Sequence, residues 1–214
     1  MDDEIILINK ETRNEKIKNF ILKNKKKIYS FIFIFITLIF SIFFYQDYKK
    51  KINLELAKRY VVASTAYTIE NKDYYIKEFK EIISTHNVTY APLSLFFLID
   101  NRMIQSNQEI NLLFNQIINN VSLDKEMKNL IIYKKALFNA ELKSENELIE
   151  ILKPILNSNS IWKSHSLLLL GDYFISKKEK QKAKDFYIQI LNDKNTKQNI
   201  ALQAQSRLRR NFSE

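Results

Sequence analysis

Residues 28–45 read IYSFIFIFITLIFSIFFY, without a charge and with Ser30, Thr37 and Ser41 as the only small polar positions. Coiled into a helix, this run would be about 27 Å long, near the thickness of a bilayer's hydrocarbon core. Phe and Ile fall on every side, so no polar face exists for a helix lying on a membrane surface. The three hydroxyls can bond back to carbonyls of the preceding turn. Tyr29 stands at one end and Tyr45 and Tyr48 at the other, at headgroup level. A cleaved signal would end in small residues, but Gln46-Asp47-Tyr48-Lys49-Lys50-Lys51 follows instead, which predicts an uncleaved anchor.

Beyond Lys51 the period changes. Apolar residues recur at i, i+3, i+4 and i+7, and strand-like alternation is scarce. Helices are predicted over about 51–70, 73–86, 90–105, 108–119, 124–142, 145–157, 160–176, 179–192 and 196–212. Ile110, Leu113, Phe114, Ile117 and Ile118 form the cleanest stripe. Met127, Leu130, Ile131, Leu137 and Phe138 are the expected buried set of the 124–142 helix, with Ser122 or Asp124 as its cap. Pro92 suits a first helical turn, whereas Pro154 should kink or shorten its helix. The last helix, with Ile200, Ala204, Leu208 and Phe212, suits an end cap. The fold class is all-α: a transmembrane helix, then a domain of packed short helices. The expected domains are a basic tail (1–27), the span (28–45) and a helical domain (46–214).

Composition narrows the chemistry. The 214 residues hold one Gly (Gly171), two Pro, no Cys and two His (His86, His165). One glycine excludes phosphate-cradling loops and dinucleotide fingerprints. Absent cysteine excludes disulfides, thiolate metal sites and a Cys nucleophile. Two distant histidines leave little for a zinc site or a triad. An enzyme is disfavoured, and no catalytic residue, cofactor or metal is expected. The net charge of +10 could suggest nucleic acid, but the basic residues form no dense stripe, so no nucleic-acid partner is expected. The charge speaks instead to topology. Eight Lys/Arg lie in the 20 residues before the span (Lys10, Arg13, Lys16, Lys18, Lys23, Lys25, Lys26, Lys27), against five in the 20 after it. That asymmetry predicts a cytoplasmic N-terminus and a translocated C-terminal domain, periplasmic in a bacterium, with tail lysines near anionic headgroups.

Helix pairs start near 90, 124 and 160, a period of roughly 35 residues, close to that of a tetratricopeptide repeat, so the all-α domain after the transmembrane helix is expected to be a tetratricopeptide-like helical-repeat solenoid. The clearest copy reads Leu167-x-x-Leu170-Gly171-x-x-Phe174, then Ala183-x-x-x-Tyr187. Gly171 and Ala183 are small, letting two antiparallel helices approach. Phe174 and Tyr187 are expected to fill the space toward the next pair. One period earlier, Ala136 occupies the glycine position, but Lys135 and Asn139 replace the flanking apolar residues.

With these residues in view, the layout resembles the ancillary SecYEG translocon subunit family over nearly its full length. The parallels are an acidic-then-basic tail, one span, Ala63-Ser64-Thr65-Ala66-Tyr67, Thr89-Tyr90-Ala91, and Trp162 ahead of Leu170-Gly171-Asp172 and Lys177-Lys178-Glu179-Lys180-Gln181-Lys182-Ala183. The match is most specific over roughly 160–191 and departs at Lys178, where the family often has Gly. The resemblance implies a single-pass bacterial inner-membrane protein that associates with the SecYEG translocon. It also implies a link to periplasmic chaperones, including a membrane-anchored peptidyl-prolyl isomerase. Spacing by itself supports only a scaffold that binds other proteins. An envelope-assembly or cell-division scaffold without channel contact stays open, as do a membrane-anchored enzyme and an inverted topology.

Single residues carry alternatives. Trp162 is either a partner-contacting anchor or packed core. His165 is a surface or packing histidine, and His86 a helix-end residue suited to the dipole. Asp100 with Arg102, and Asp172 with nearby lysines, read as ordinary ion pairs. Asn87-Val88-Thr89, Asn120-Val121-Ser122 and Asn211-Phe212-Ser213 match a glycosylation pattern at a frequency expected in an Asn-rich chain.

Overall fold

The computed structural model describes residues 2–212. The side chains of residues 2–14, Ile17 and Ile28 lie outside that description, among them Lys10 and Arg13 of the basic tail, as do Met1, Ser213 and Glu214. The described residues form nine helices and no strand: α1 (Asp2–Ala66), α2 (Lys72–Ser84), α3 (Tyr90–Asp100), α4 (Asn107–Asn120), α5 (Lys125–Asn139), α6 (Glu145–Leu156), α7 (Lys163–Ser176), α8 (Lys180–Asn192) and α9 (Gln198–Phe212). The chain divides into two units, Met1–Glu55 and Leu56–Glu214. The second begins ten residues beyond the boundary expected at 46.

In the first unit the apolar run is helical, and no part of its most apolar window, at mean hydropathy 1.9, is buried. The core helix of a globule would be mostly covered. Among the described residues this is the one helix long and apolar enough to cross a membrane. Thr37 Oγ1 donates to the Phe33 carbonyl at 2.8 Å and Ser41 Oγ to the Thr37 carbonyl at 2.9 Å. Both hydroxyls are thereby satisfied inside the helix, as a bilayer interior requires.

The second unit is a stack of short antiparallel helices. The expected pairs starting near 124 and 160 form, as α5 with α6 and α7 with α8. The pair starting near 90 does not: α3 packs most extensively on α2, while α4 touches α2, α3 and α5. Phe79, Ile82 and Ile83 on α2 and Ala91, Leu95 and Leu98 on α3, all six fully buried, belong to one apolar cluster, and the Phe79 and Phe97 rings of the two helices lie 4.6 Å apart. Burying a large side chain of this kind contributes about 1.5–3 kcal/mol. Two apolar clusters result. One runs from Ala63 to Ile131 and holds Tyr60, Phe79 and Phe97 in mutual ring contact. The other runs from Ile132 to Ala204. Helix α5 serves both, with Ile131 in one and Ile132 in the other.

Helix ends explain where the predicted bounds fail. The first expected helix stops at Ala66 rather than 70, because Asn71 donates to the Ala66 carbonyl at 2.9 Å and accepts from the Thr68 N–H at 2.7 Å. Helix α3 stops at Asp100 rather than 105. There Arg102 takes φ 49°, its N–H bonding the Ile99 carbonyl and that of Met103 the Leu98 carbonyl. This Schellman geometry turns Met103 and Ile104 back into the core. Asp124, not Ser122, caps α5, accepting from the Met127 N–H at 2.8 Å. The buried face of α5 is Asn129, Ile131, Ile132, Ala136 and Asn139, whereas Met127 and Leu137, expected inside, are exposed. Pro92 lies in the first turn of α3, and α6 ends two residues past Pro154.

Candidate functional site

The repeat signature is a packing device. Leu167, Leu170, Phe174, Ala183 and Tyr187 are all buried, as is Gly171. A Cβ on Gly171 would strike the Tyr187 ring, with Cδ1 and Cζ both at 2.8 Å. Tyr187 therefore fills the space inside its own helix pair, not the space toward the next. Its hydroxyl donates to Asp172 Oδ1 at 2.7 Å. The same carboxylate accepts from Arg207 Nε at 3.0 Å, so Asp172 pairs with a guanidinium on α9 rather than with nearby lysines. Burial, then the Asp172 bond and charge, push the Tyr187 phenol far up. Phe174 stacks on Phe186 with centroids 5.5 Å apart, and Lys182 lies over it at 5.1 Å while bonding Glu145 on α6 at 2.8 Å. Lys178, in the turn, takes φ 63°, with its N–H bonded to the Ile175 carbonyl and that of Glu179 to the Phe174 carbonyl. A lysine thus occupies a left-handed position that glycine holds without strain.

Trp162 is half-buried, between the two roles expected of it. Its ring stacks on Tyr133 of α5 at 5.6 Å, and His165 sits 5.1 Å away, its Nδ1 3.3 Å from the Ile161 carbonyl. Tyr133, Trp162 and His165 form a partly exposed aromatic shelf bridging two repeats. Burial, and secondarily the Asp172 charge, raise the Tyr133 phenol. Farther along α5, exposed Leu137 borders a pocket of about 260 Å³ with Phe96, Ile99, Phe114 and Phe138, flanked by Asp100 and Lys134. Lys134 lies 5.8 Å from the centre of the Phe96 ring. Shelf and pocket present partly exposed aromatic and aliphatic side chains, residue types enriched where protein partners anchor.

A second concavity, about 750 Å³, opens between α4, α5 and the start of α6. Its floor is a reciprocal amide pair. Asn111 Nδ2 donates to Asn139 Oδ1 at 3.0 Å, and Asn139 Nδ2 to Asn111 Oδ1 at 2.8 Å. Asn139 is fully buried and also donates to the Lys135 carbonyl. Lys135 Nζ donates to Asn115 Oδ1 at 2.7 Å. Burial, and then the Lys143 charge, hold the Lys135 ammonium below the ordinary lysine range. On the far wall Lys143 pairs with Glu147 at 2.6 Å, and Glu150 with Lys153 at 2.9 Å. Sequence reasoning missed this cleft. The available signal was the loss of the repeat pattern at Lys135 and Asn139, one period before Leu170 and Phe174.

The remaining candidates resolve into structural roles. His86 takes φ 55° just beyond α2, its N–H on the Ile83 carbonyl. Asn87 Oδ1 accepts from the Thr89 and Tyr90 N–H groups, both at 3.0 Å, and starts α3. Arg102 is turned into its helix-end position instead of forming an expected pair with Asp100. Ser213 of the third glycosylation match lies outside the described residues. Among the described residues, no group of three or more His, Cys, Asp or Glu side chains is placed to hold a metal ion. No family model, curated protein or solved structure matches the chain.

Proposed function

We propose that this chain is a membrane-anchored scaffold for protein–protein interaction, an ancillary subunit of the Sec translocon that links protein export to periplasmic chaperones. The observation that carries the reading is the pairing, in one chain, of an apolar helical run whose most apolar stretch has no buried part and a stack of helix pairs whose signature residues are spent on packing. Among what the stack leaves partly exposed is the aromatic shelf of Tyr133, Trp162 and His165, which suits contact with a partner. The excess of lysine and arginine before the span supports a cytoplasmic tail and a periplasmic domain in the bacterial inner membrane. The translocon and the peptidyl-prolyl isomerase as partners rest on the family resemblance of the 160–191 block. The mechanism is tethering. An anchor confines the domain near the channel exit, and millimolar effective concentration lets weak contacts act.

The test is a photo-crosslinking residue in place of Trp162, in intact cells, with affinity purification after mild detergent extraction. The expected products are adducts with channel subunits and with periplasmic chaperones. Repeated recovery of envelope or division proteins without the channel would remove the export role and leave the alternative scaffold. Cleavage of the C-terminal domain by protease in spheroplasts is the expected topology result; protection there, with cleavage only after lysis, would overturn it.

A further inference from the structure

The cleft between α4 and α5 carries chemistry that the scaffold role does not by itself require. Two stripes face each other across it, each with a step of four residues. Asn107, Asn111 and Asn115 lie on α4; Lys135 and Asn139 on α5 lead to Lys143 just beyond that helix. The central amides are used up on one another, so they form a closed floor. The ends are not closed. Asn115 gives its oxygen to Lys135 and keeps its amide donors at an exposed position. Asn107 is exposed at the other end. Of the two cleft lysines, Lys143 is matched by Glu147, while Lys135 is half-buried and meets only an amide oxygen. A cation drawn partly out of water without a counter-charge makes a receptor for an anion, because a carboxylate would restore the missing partner.

Spacing defines the rest of the ligand. Four residues along a helix advance about 6 Å. Two residues of an extended chain advance about 6.6 Å. An extended peptide lying along α4 would therefore bring every second residue to successive positions of the stripe. In the neighbouring repeat the positions equivalent to Lys135 and Asn139 are Leu170 and Phe174, and there the space is filled by the Phe174–Phe186 stack. The cleft is thus a place where the repeat gave up apolar filling for donors.

We infer that this cleft binds an extended acidic peptide segment, with a side-chain carboxylate seated between Lys135 Nζ and the Asn115 amide. The biological use of such a site rests on the scaffold reading, but the binding chemistry can be tested apart from it. The probe is a fluorescein-labelled hexapeptide alternating Glu and Ser, C-terminally amidated, titrated by anisotropy into the full chain held in a neutral detergent. Binding should weaken as salt rises. It should fall at least about tenfold for the Gln-for-Glu peptide and for Lys135→Gln, since one charge-assisted bond is lost. Asn115→Asp supplies a built-in carboxylate to Lys135 and should abolish binding while leaving the helical circular dichroism unchanged. Lys184→Gln, on the exposed side of α8, should change nothing. Equal binding of the Glu and Gln peptides, or full binding by Asn115→Asp, would overturn the inference. So would binding that requires a free C-terminal carboxylate. Crosslinking at Trp162 reads the scaffold role independently, so either can fail while the other stands.

Discussion

Replacing Gly171 with Ala sets two effects of opposite sign against each other. In an unencumbered helix interior the change should stabilise by about 1 kcal/mol, because alanine loses less backbone entropy than glycine. Here the new methyl would stand 2.8 Å from Tyr187 Cδ1 and Cζ, where carbon atoms rest at about 3.5–4.0 Å. The ring would have to retreat by roughly 1 Å. It has no exposed side to move toward, and its hydroxyl is held 2.7 Å from Asp172, which Arg207 holds in turn. Overpacking of this kind costs about 1–3 kcal/mol, and losing the bond to a charged acceptor about 1.5 kcal/mol or more. Set against the helix gain, the net is a loss of about 2 kcal/mol, a factor of roughly 30 in the unfolding equilibrium. The assay is urea unfolding of the full chain in a non-ionic micelle, read from Trp162, the only tryptophan. With a slope of about 2 kcal/mol/M, the midpoint should drop by about 1 M. Tyr187→Leu removes the obstructing ring, and in that background Gly171→Ala should stabilise by about 1 kcal/mol. A double-mutant cycle should then give a coupling near 3 kcal/mol. A raised midpoint for Gly171→Ala alone, or simple additivity with Tyr187→Leu, would refute the steric account.

Three further outcomes follow from the same packing. Lys178→Gly should stabilise by about 0.5–1 kcal/mol, the relief of left-handed strain less the entropy glycine adds to the unfolded chain, and the same urea titration reads it. Arg207→Ala should cost about 1 kcal/mol at low salt and less near ~1 M salt, because a half-exposed pair is screened; the salt dependence of the midpoint is the measurement. Glu147 bonds Lys143, then the Ser144 hydroxyl and N–H, and these hold its carboxyl down to about 2 from 4.5. Because the folded value is the lower one, its contribution is complete above about pH 4.5 and fades as pH falls toward 2. A side-chain NMR titration of Glu147 with its midpoint near 4.5 would contradict these bonds to Lys143 and Ser144.

The long apolar helix and the helical character of the rest were legible because an unbroken apolar run and a helical period are both local signals. The last repeat was legible because its glycine sits where Tyr187 leaves no room for a Cβ, so the residue type reports the contact directly. The first pairing was not legible. Whether α3 joins α2 or α4 depends on contacts such as that of Phe79 with Phe97, and α3, apolar on nearly every side, does not itself say which neighbour it packs on. The partner of Asp172 was misread for the same reason: lysines lie near in sequence, but Arg207, 35 residues on, lies near in space.

Departures from the repeat pattern carry the most functional information. Where the pattern holds, at Leu170 and Phe174, side chains are buried and can only hold the stack together. Where it fails one period earlier, the apolar frame persists, since Ile132, Ala136, Leu148 and Leu152 stay buried at the positions equivalent to Leu167, Gly171, Ala183 and Tyr187. The apolar scaffold of that repeat is intact, so Lys135 and Asn139 are not symptoms of a decayed unit. A decayed unit would also have lost the satisfaction of its buried amide, yet every donor of the Asn139 amide is used. Burying a polar pair costs stability unless its bonds are complete, and completing them here required a matching asparagine 28 residues away on α4. Two coordinated polar residues on different helices are a more demanding arrangement than one leucine and one phenylalanine. The polar solution is therefore the one that needs a function to explain it, and the half-buried ammonium of Lys135 beside it supplies the chemistry.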